Sequence, residues 1–146
     1  MFGRLILLAL LIQINFLFIC YSRLEIEREY YNDDRLKSEK YWKKANEIGI
    51  WKSYYEDGSL KEEFDKGKNI LREYYKNGNL KSEYFFNKNG KKIIKHYFED
   101  GKIMSFGIFL PKSPLTGIEK HYDEDGKLIY IYKYRDGRIV NIKNLK

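Results

Sequence analysis

From Glu29 onward the chain alternates between apolar or aromatic and polar positions in short runs, each broken by a turn signal. A period of two bounded by Asp, Asn and Gly is the pattern of half-buried β-strands. Five stretches align with one another: Glu29-Tyr-Tyr-Asn-Asp-Asp-Arg-Leu36, Ser53-Tyr-Tyr-Glu-Asp-Gly-Ser-Leu60, Glu73-Tyr-Tyr-Lys-Asn-Gly-Asn-Leu80, His96-Tyr-Phe-Glu-Asp-Gly-Lys-Ile103 and His121-Tyr-Asp-Glu-Asp-Gly-Lys-Leu128. Their turn positions are Asp34, Gly58, Gly78, Gly101 and Gly126. A second turn follows at Lys66-Gly67, Asn89-Gly90 and Asp136-Gly137. Asn-Gly and Asp-Gly between alternating runs predict hairpins with two-residue type I′ turns. Each unit is then strand, turn, strand, turn, and the stacked units predict an antiparallel meander of about ten strands with two unpaired edges.

The units share a motif. Gly49-Ile-Trp-Lys-Ser-Tyr-Tyr-Glu-Asp-Gly-Ser-Leu60 and Gly117-Ile-Glu-Lys-His-Tyr-Asp-Glu-Asp-Gly-Lys-Leu128 carry it most fully. It resembles the bacterial variant of the MORN repeat over about residues 28 to 140, and in particular the group of YwqK-type antitoxin proteins. Asp34 stands where the other units have glycine, Ile70 and Ile93 lack a preceding glycine, and Met104–Leu115 departs from the motif. The resemblance implies an all-β fold, a single elongated twisted sheet of about five hairpin repeats. It also implies a binding or scaffolding role without catalysis. The departing stretch, with Pro111 and Pro114, predicts a bulged strand running into a loop. Its apolar residues either mark an interaction site or pack under the sheet, packing being favoured.

Ahead of the repeats, Arg4 precedes an uncharged, mostly apolar run from Leu5 to Tyr21. Residues 1–22 therefore read as a signal peptide or membrane-anchor helix, and residues 23–146 as the repeat domain. Three outcomes fit: cleavage after Ser22, acylation of Cys20 as in a lipoprotein, or retention as an anchor. Each places the repeats outside the cytoplasm, periplasmic or extracellular or tethered to the outer face of the membrane.

Composition narrows the chemistry. The 146 residues hold 14 Tyr, 9 Phe and 2 Trp, too aromatic for a disordered tail. One cysteine excludes an intrachain disulfide framework and a Cys-based zinc cluster. The net charge of +7 is spread over interspersed acids and bases, which predicts no nucleic-acid footprint. The partner expected is a protein, with an acidic lipid surface as the alternative.

Alternation places Ile50/Lys52/Tyr54, Ile70/Arg72/Tyr74, Ile93/Lys95/Tyr97 and Ile118/Lys120/Tyr122 on one face. The candidate binding residues are accordingly Lys52, Tyr54, Arg72, Tyr74, Lys95, Tyr97, Lys120 and Tyr122. The same recurrence also serves as cross-strand packing, with basic stems over rings, and that bland reading is the stronger. The other face carries Trp51/Ser53/Tyr55 and its equivalents. Lys61/Glu63 and Lys81/Glu83 are expected on a solvated surface. His96 and His121 share a register two strands apart, too far to hold one metal. Asp57, Asp100, Glu124 and Asp125 are expected to serve the turns rather than to act as paired catalytic carboxylates. No motif for a phosphate, nucleophile or cofactor is present, so no catalytic residue, metal or cofactor is assigned.

Overall fold

The computed structural model describes residues 24–43, 49–111 and 115–145. The N-terminal segment with Cys20 lies outside them. Eleven strands follow one another: β1 Leu24–Tyr30, β2 Leu36–Lys43, β3 Gly49–Tyr54, β4 Leu60–Asp65, β5 Ile70–Tyr74, β6 Leu80–Phe86, β7 Lys92–Tyr97, β8 Ile103–Phe109, β9 Gly117–Tyr122, β10 Leu128–Arg135 and β11 Arg138–Asn144. They form one open sheet in sequence order, antiparallel throughout, with β1 and β11 at its edges. Among the described residues no helix is long and apolar enough to cross a membrane.

A single layer has little interior. Among the described residues only Ile93 and Phe109 are buried apolar side chains, at 5% and 3% exposure. Cohesion therefore rests on neighbouring strands, through the ladder and through side-chain pairs on each face. One such pair is the edge-on contact of Trp51 with Phe64, ring centroids 5.4 Å apart.

The turns differ from the two-residue type I′ expectation. At the second unit Gly58 N–H donates to Tyr55 O, Tyr55 N–H donates to Ser59 O, and Gly58 has φ 85° while Asp57 keeps negative φ. This is a type I turn closed by one left-handed residue, and a separate bulge past it shifts the register at Ser53/Tyr54, where Lys61 is skipped. The same shift recurs at Glu29/Tyr30, Glu73/Tyr74 and His96/Tyr97. Asp34 accepts the left-handed position of the first turn with φ 63°. In the turn after β4, Asn69 rather than Gly67 takes positive φ. Among the described residues Asp136-Gly137 alone has positive φ at both central residues, between paired Arg135 and Arg138, as type I′ requires.

The turn acids do the work expected of them where bonds are seen. Asp57 Oδ1 accepts from Ser59 N–H at 2.9 Å, and Asp100 Oδ1 from Lys102 N–H at 3.0 Å. In the last unit Asp123 Oδ1 takes this part, accepting from Lys127 N–H at 2.9 Å.

The departing stretch carries the expected bulge: Tyr97 pairs with Ile103 and His96 with Ser105, so Met104 is the residue skipped. From Ser105 to Phe109 the strand pairs with β9 in unbroken register, and Leu110 N–H donates to Thr116 O. Phe109 packs inward, while Ile108, Leu110 and Leu115 stay exposed.

Second tyrosines link successive units. Tyr31 Oη donates to Tyr54 O at 2.7 Å, Tyr55 Oη to Tyr74 O at 2.8 Å, and Tyr75 Oη to Tyr97 O at 2.7 Å. Tyr55 and Tyr75 thus stand just past the ends of β3 and β5, not on a strand face. Phe98, at the equivalent place in the fourth unit, has no hydroxyl to donate.

Candidate functional site

The predicted cations do share a row. Successive Cα partners run Arg28, Glu39, Lys52, Glu63, Arg72, Glu83, Lys95, Phe106, Lys120, Ile131 and Lys143, one residue from each strand. This corrects the expectation that Glu63 and Glu83 face a separate solvated surface. Antiparallel pairing sets Glu63 between Lys52 and Arg72, and Glu83 between Arg72 and Lys95, on the same face. The distances are those of a charge ladder: Lys52–Glu63 3.9 Å, Arg72–Glu63 3.4 Å, Arg72–Glu83 3.0 Å and Lys95–Glu83 3.3 Å. The row alternates in sign from β1 to β7 and is neutral through β6.

Its anchor is Glu39. The side chain is buried, at 7% residue exposure, and accepts from Tyr41 Oη and Tyr54 Oη at 2.5 Å each, with Arg28 Nε 3.5 Å away. Burial works against the carboxylate charge, yet the hydrogen bonds from Tyr41, Tyr54 and Arg28 prevail and hold its pKa below the ordinary value. Burial, then the bond to Glu39, pushes the Tyr54 hydroxyl up. Burial foremost also raises Tyr74, and it opposes the charge of Arg72, which the hydrogen bond to Glu83 nevertheless stabilises.

The eight predicted residues therefore separate by role. Lys52, Arg72 and Lys95 are ion-paired along the row, and Tyr54 is engaged with Glu39. Lys95 Nζ also sits 5.1 Å over the Phe85 ring. Lys120 is exposed between Phe106 and Ile131. Tyr74, Tyr97 and Tyr122 close the ends of their strands, half-buried. Sequence reasoning missed Glu39, Glu63 and Glu83. Their signal was present as Leu36-Lys-Ser-Glu39, Leu60-Lys-Glu-Glu63 and Leu80-Lys-Ser-Glu83, whose counterparts in the last two units are Ile103-Met-Ser-Phe106 and Leu128-Ile-Tyr-Ile131.

If the row carries stability, Arg72→Ala should lower it by about 1 to 2 kcal/mol, because it strips two part-buried carboxylates of their shared partner. Lys120→Ala should cost less than half as much. Urea unfolding of the two variants against the parent chain checks the difference.

The opposite face has its own polar centre. Glu119 accepts from Ser105 Oγ and Tyr134 Oη at 3.0 Å each, with His121 Nε2 3.3 Å away but out of hydrogen-bonding alignment. Burial, then Glu119, pushes the Tyr134 hydroxyl up to about 12. Ser105 is buried and points at a carboxylate rather than an imidazole, so the trio lacks the order of a nucleophile and its base. Ser105 also separates His96 from His121 in the ladder. Among the described residues no group of three or more His, Cys, Asp or Glu is placed to hold a metal.

Three stretches of the chain match the MORN repeat variant. They are residues 47–65, 69–88 and 115–136. No curated protein matches the chain. The MORN variant segments contain the hairpins β3–β4, β5–β6 and β9–β10. MORN repeats commonly serve as binding or scaffold modules and are generally non-catalytic. Two of the matched segments include a glycine at the start of a strand, Gly49 and Gly117, and both are sites of close backbone approach. A Cβ on Gly49 would lie 2.7 Å from Tyr41 O, and one on Gly117 would lie 2.8 Å from Phe109 Cα.

Proposed function

We propose that this chain is a non-enzymatic MORN-type module that binds a partner protein at the outside of the cell membrane. The observation that carries the reading is the single row of nine charged and two apolar side chains, one from each of the eleven strands of an open sheet. A face of this breadth suits an extended contact, and the hydrogen-bonded polar side chains hold it in place before any partner arrives. The apolar run from Leu5 to Tyr21 supports export, whether by cleavage after Ser22, acylation at Cys20 or retention. In the antitoxin-like form of this reading, suggested by the YwqK-type resemblance, the partner is a toxin that the sheet occludes.

Photo-crosslinking residues placed at Ile118 or Lys120, and at Glu62 on the opposite face, test this in living cells of the native host. The expected result is one discrete adduct from Ile118 and Lys120, recovered outside the cytoplasm, and none from Glu62. Absence of any adduct, or a chain confined to the cytoplasm, would overturn the reading.

A further inference from the structure

The charge ladder stops partway across the sheet. From β1 to β7 every cation in the row has a carboxylate on an adjacent strand, but beyond Lys95 the acidic positions are filled by Phe106 and Ile131. On this face β8–β11 present Phe106, Ile108, Ile118, Lys120, Ile131, Lys133 and Lys143 and no carboxylate. Lys120, Lys133 and Lys143 are exposed and have no ion-pair partner among the described residues.

Apolar surface lies between these cations. Ile108 and Ile118 are 37% and 48% exposed, and with Phe106, Leu110, Lys91 and Lys120 they line an open cleft of about 330 Å³. Equivalent cations of the row stand two strands apart, roughly 9 to 10 Å. A single small anion cannot bridge that gap. Phe106 is half-buried between half-buried Lys95 and exposed Lys120, and Ile131 is half-buried between exposed Lys120 and Lys143, so apolar and cationic side chains alternate from strand to strand.

We infer that the β8–β11 end of this face is a docking surface for a partner-protein segment that alternates acidic and aliphatic residues. The carboxylates replace the missing members of the ladder, and the aliphatic side chains fill the cleft. This rests on the binding-module reading above and locates its contact surface. The first three units supply a neutralised scaffold, and the last two supply the surface that an acidic partner completes.

The test uses the full-length chain in a nonionic detergent and a fluorescent twelve-residue peptide alternating Glu and Leu. The expected result is binding that weakens at least tenfold in the Lys120→Glu/Lys143→Glu double variant. It weakens similarly in Phe106→Glu, which restores the sign alternation from within. Lys40→Ala, on the opposite face across from Trp51, leaves binding within twofold, and a peptide with Ser for Leu binds at least tenfold more weakly. Circular dichroism of each variant confirms that the sheet is intact. Failure of the Glu–Leu peptide to bind, or equal binding by the double variant, overturns the inference. The crosslinking result above is unaffected by either outcome. Displacement of the peptide by an equimolar amount of phosphatidylglycerol in the micelles assigns the surface to a membrane and also overturns it.

Discussion

Gly117→Ala is expected to destabilise the chain by about 3 kcal/mol, the upper range for forcing an atom into a packed site. The added methyl would meet the backbone of Ile108 and Phe109 on the adjacent strand, and a backbone cannot turn aside as a side chain does. Relief requires opening the ladder where Phe109 pairs with Gly117 and Ile108 with Ile118. Above the glycine the rings of Phe109 and Tyr134 meet edge to face, centroids 5.7 Å apart, so nothing on that side can yield either. Gly58→Ala is the control. It sits in an open turn with φ 85° and no atom within 4 Å of an added Cβ, so its cost is conformational only, about 1 kcal/mol. Urea unfolding midpoints of the two variants measure the contrast. Equal losses would show that the close approach at Gly117 is not what the position protects.

Glu39→Ala should cost about 2 to 3 kcal/mol, because it orphans two tyrosine hydroxyls and leaves Arg28 without its counter-charge. The same carboxylate gives the fold a sensitivity to acid. Its folded pKa lies below the unfolded value near 4.3. The stabilisation is therefore complete above the unfolded pKa and is lost as pH falls through the folded one. Stability of the parent chain should decline below about pH 4. In Glu39→Gln that part of the decline should disappear, from a lower starting value. Denaturant titrations at pH 7 and pH 3 separate the two effects, and an unchanged acid slope in Glu39→Gln would remove Glu39 from the account.

Much of the architecture was legible in the sequence because repetition multiplies a weak signal. One Tyr-Tyr-x-x-Gly-x-Leu run says little, but five at similar spacing define strands, turns and strand order together. The turn type was not legible. Asp-Gly fits both a two-residue turn and a longer one with a single left-handed residue, and only the backbone distinguishes Gly58 from Gly137. Alternation fails across the bulge at Lys61 in β4, but where it is unbroken, as for Ile50, Lys52 and Tyr54 in β3, faces were read correctly. The placement of Glu63 beside Lys52 and Arg72 was not, because it depends on cross-strand register, which the one-residue shift inside each hairpin unit resets. The double tyrosine hid its second role for a related reason. A strand-by-strand reading places Tyr55 on a face, whereas its hydroxyl closes the distance to Tyr74 in the next unit.

The missing hydroxyl at Phe98 changes how the array holds together. In a meander each strand touches only its neighbours, so stability behaves like a chain of couplings in series, and the weakest coupling decides where the chain parts. Three successive joints carry a tyrosine bond, from Tyr31, Tyr55 and Tyr75. Among the described residues the fourth has no such tyrosine bond and relies on the ladder, on Ser105 Oγ donating to Glu119 at 3.0 Å and on Lys102 Nζ donating to Glu124 O at 2.6 Å. Partial opening would then not be spread evenly along the sheet. It would release the C-terminal strands as one cooperative block while the stapled units stay closed.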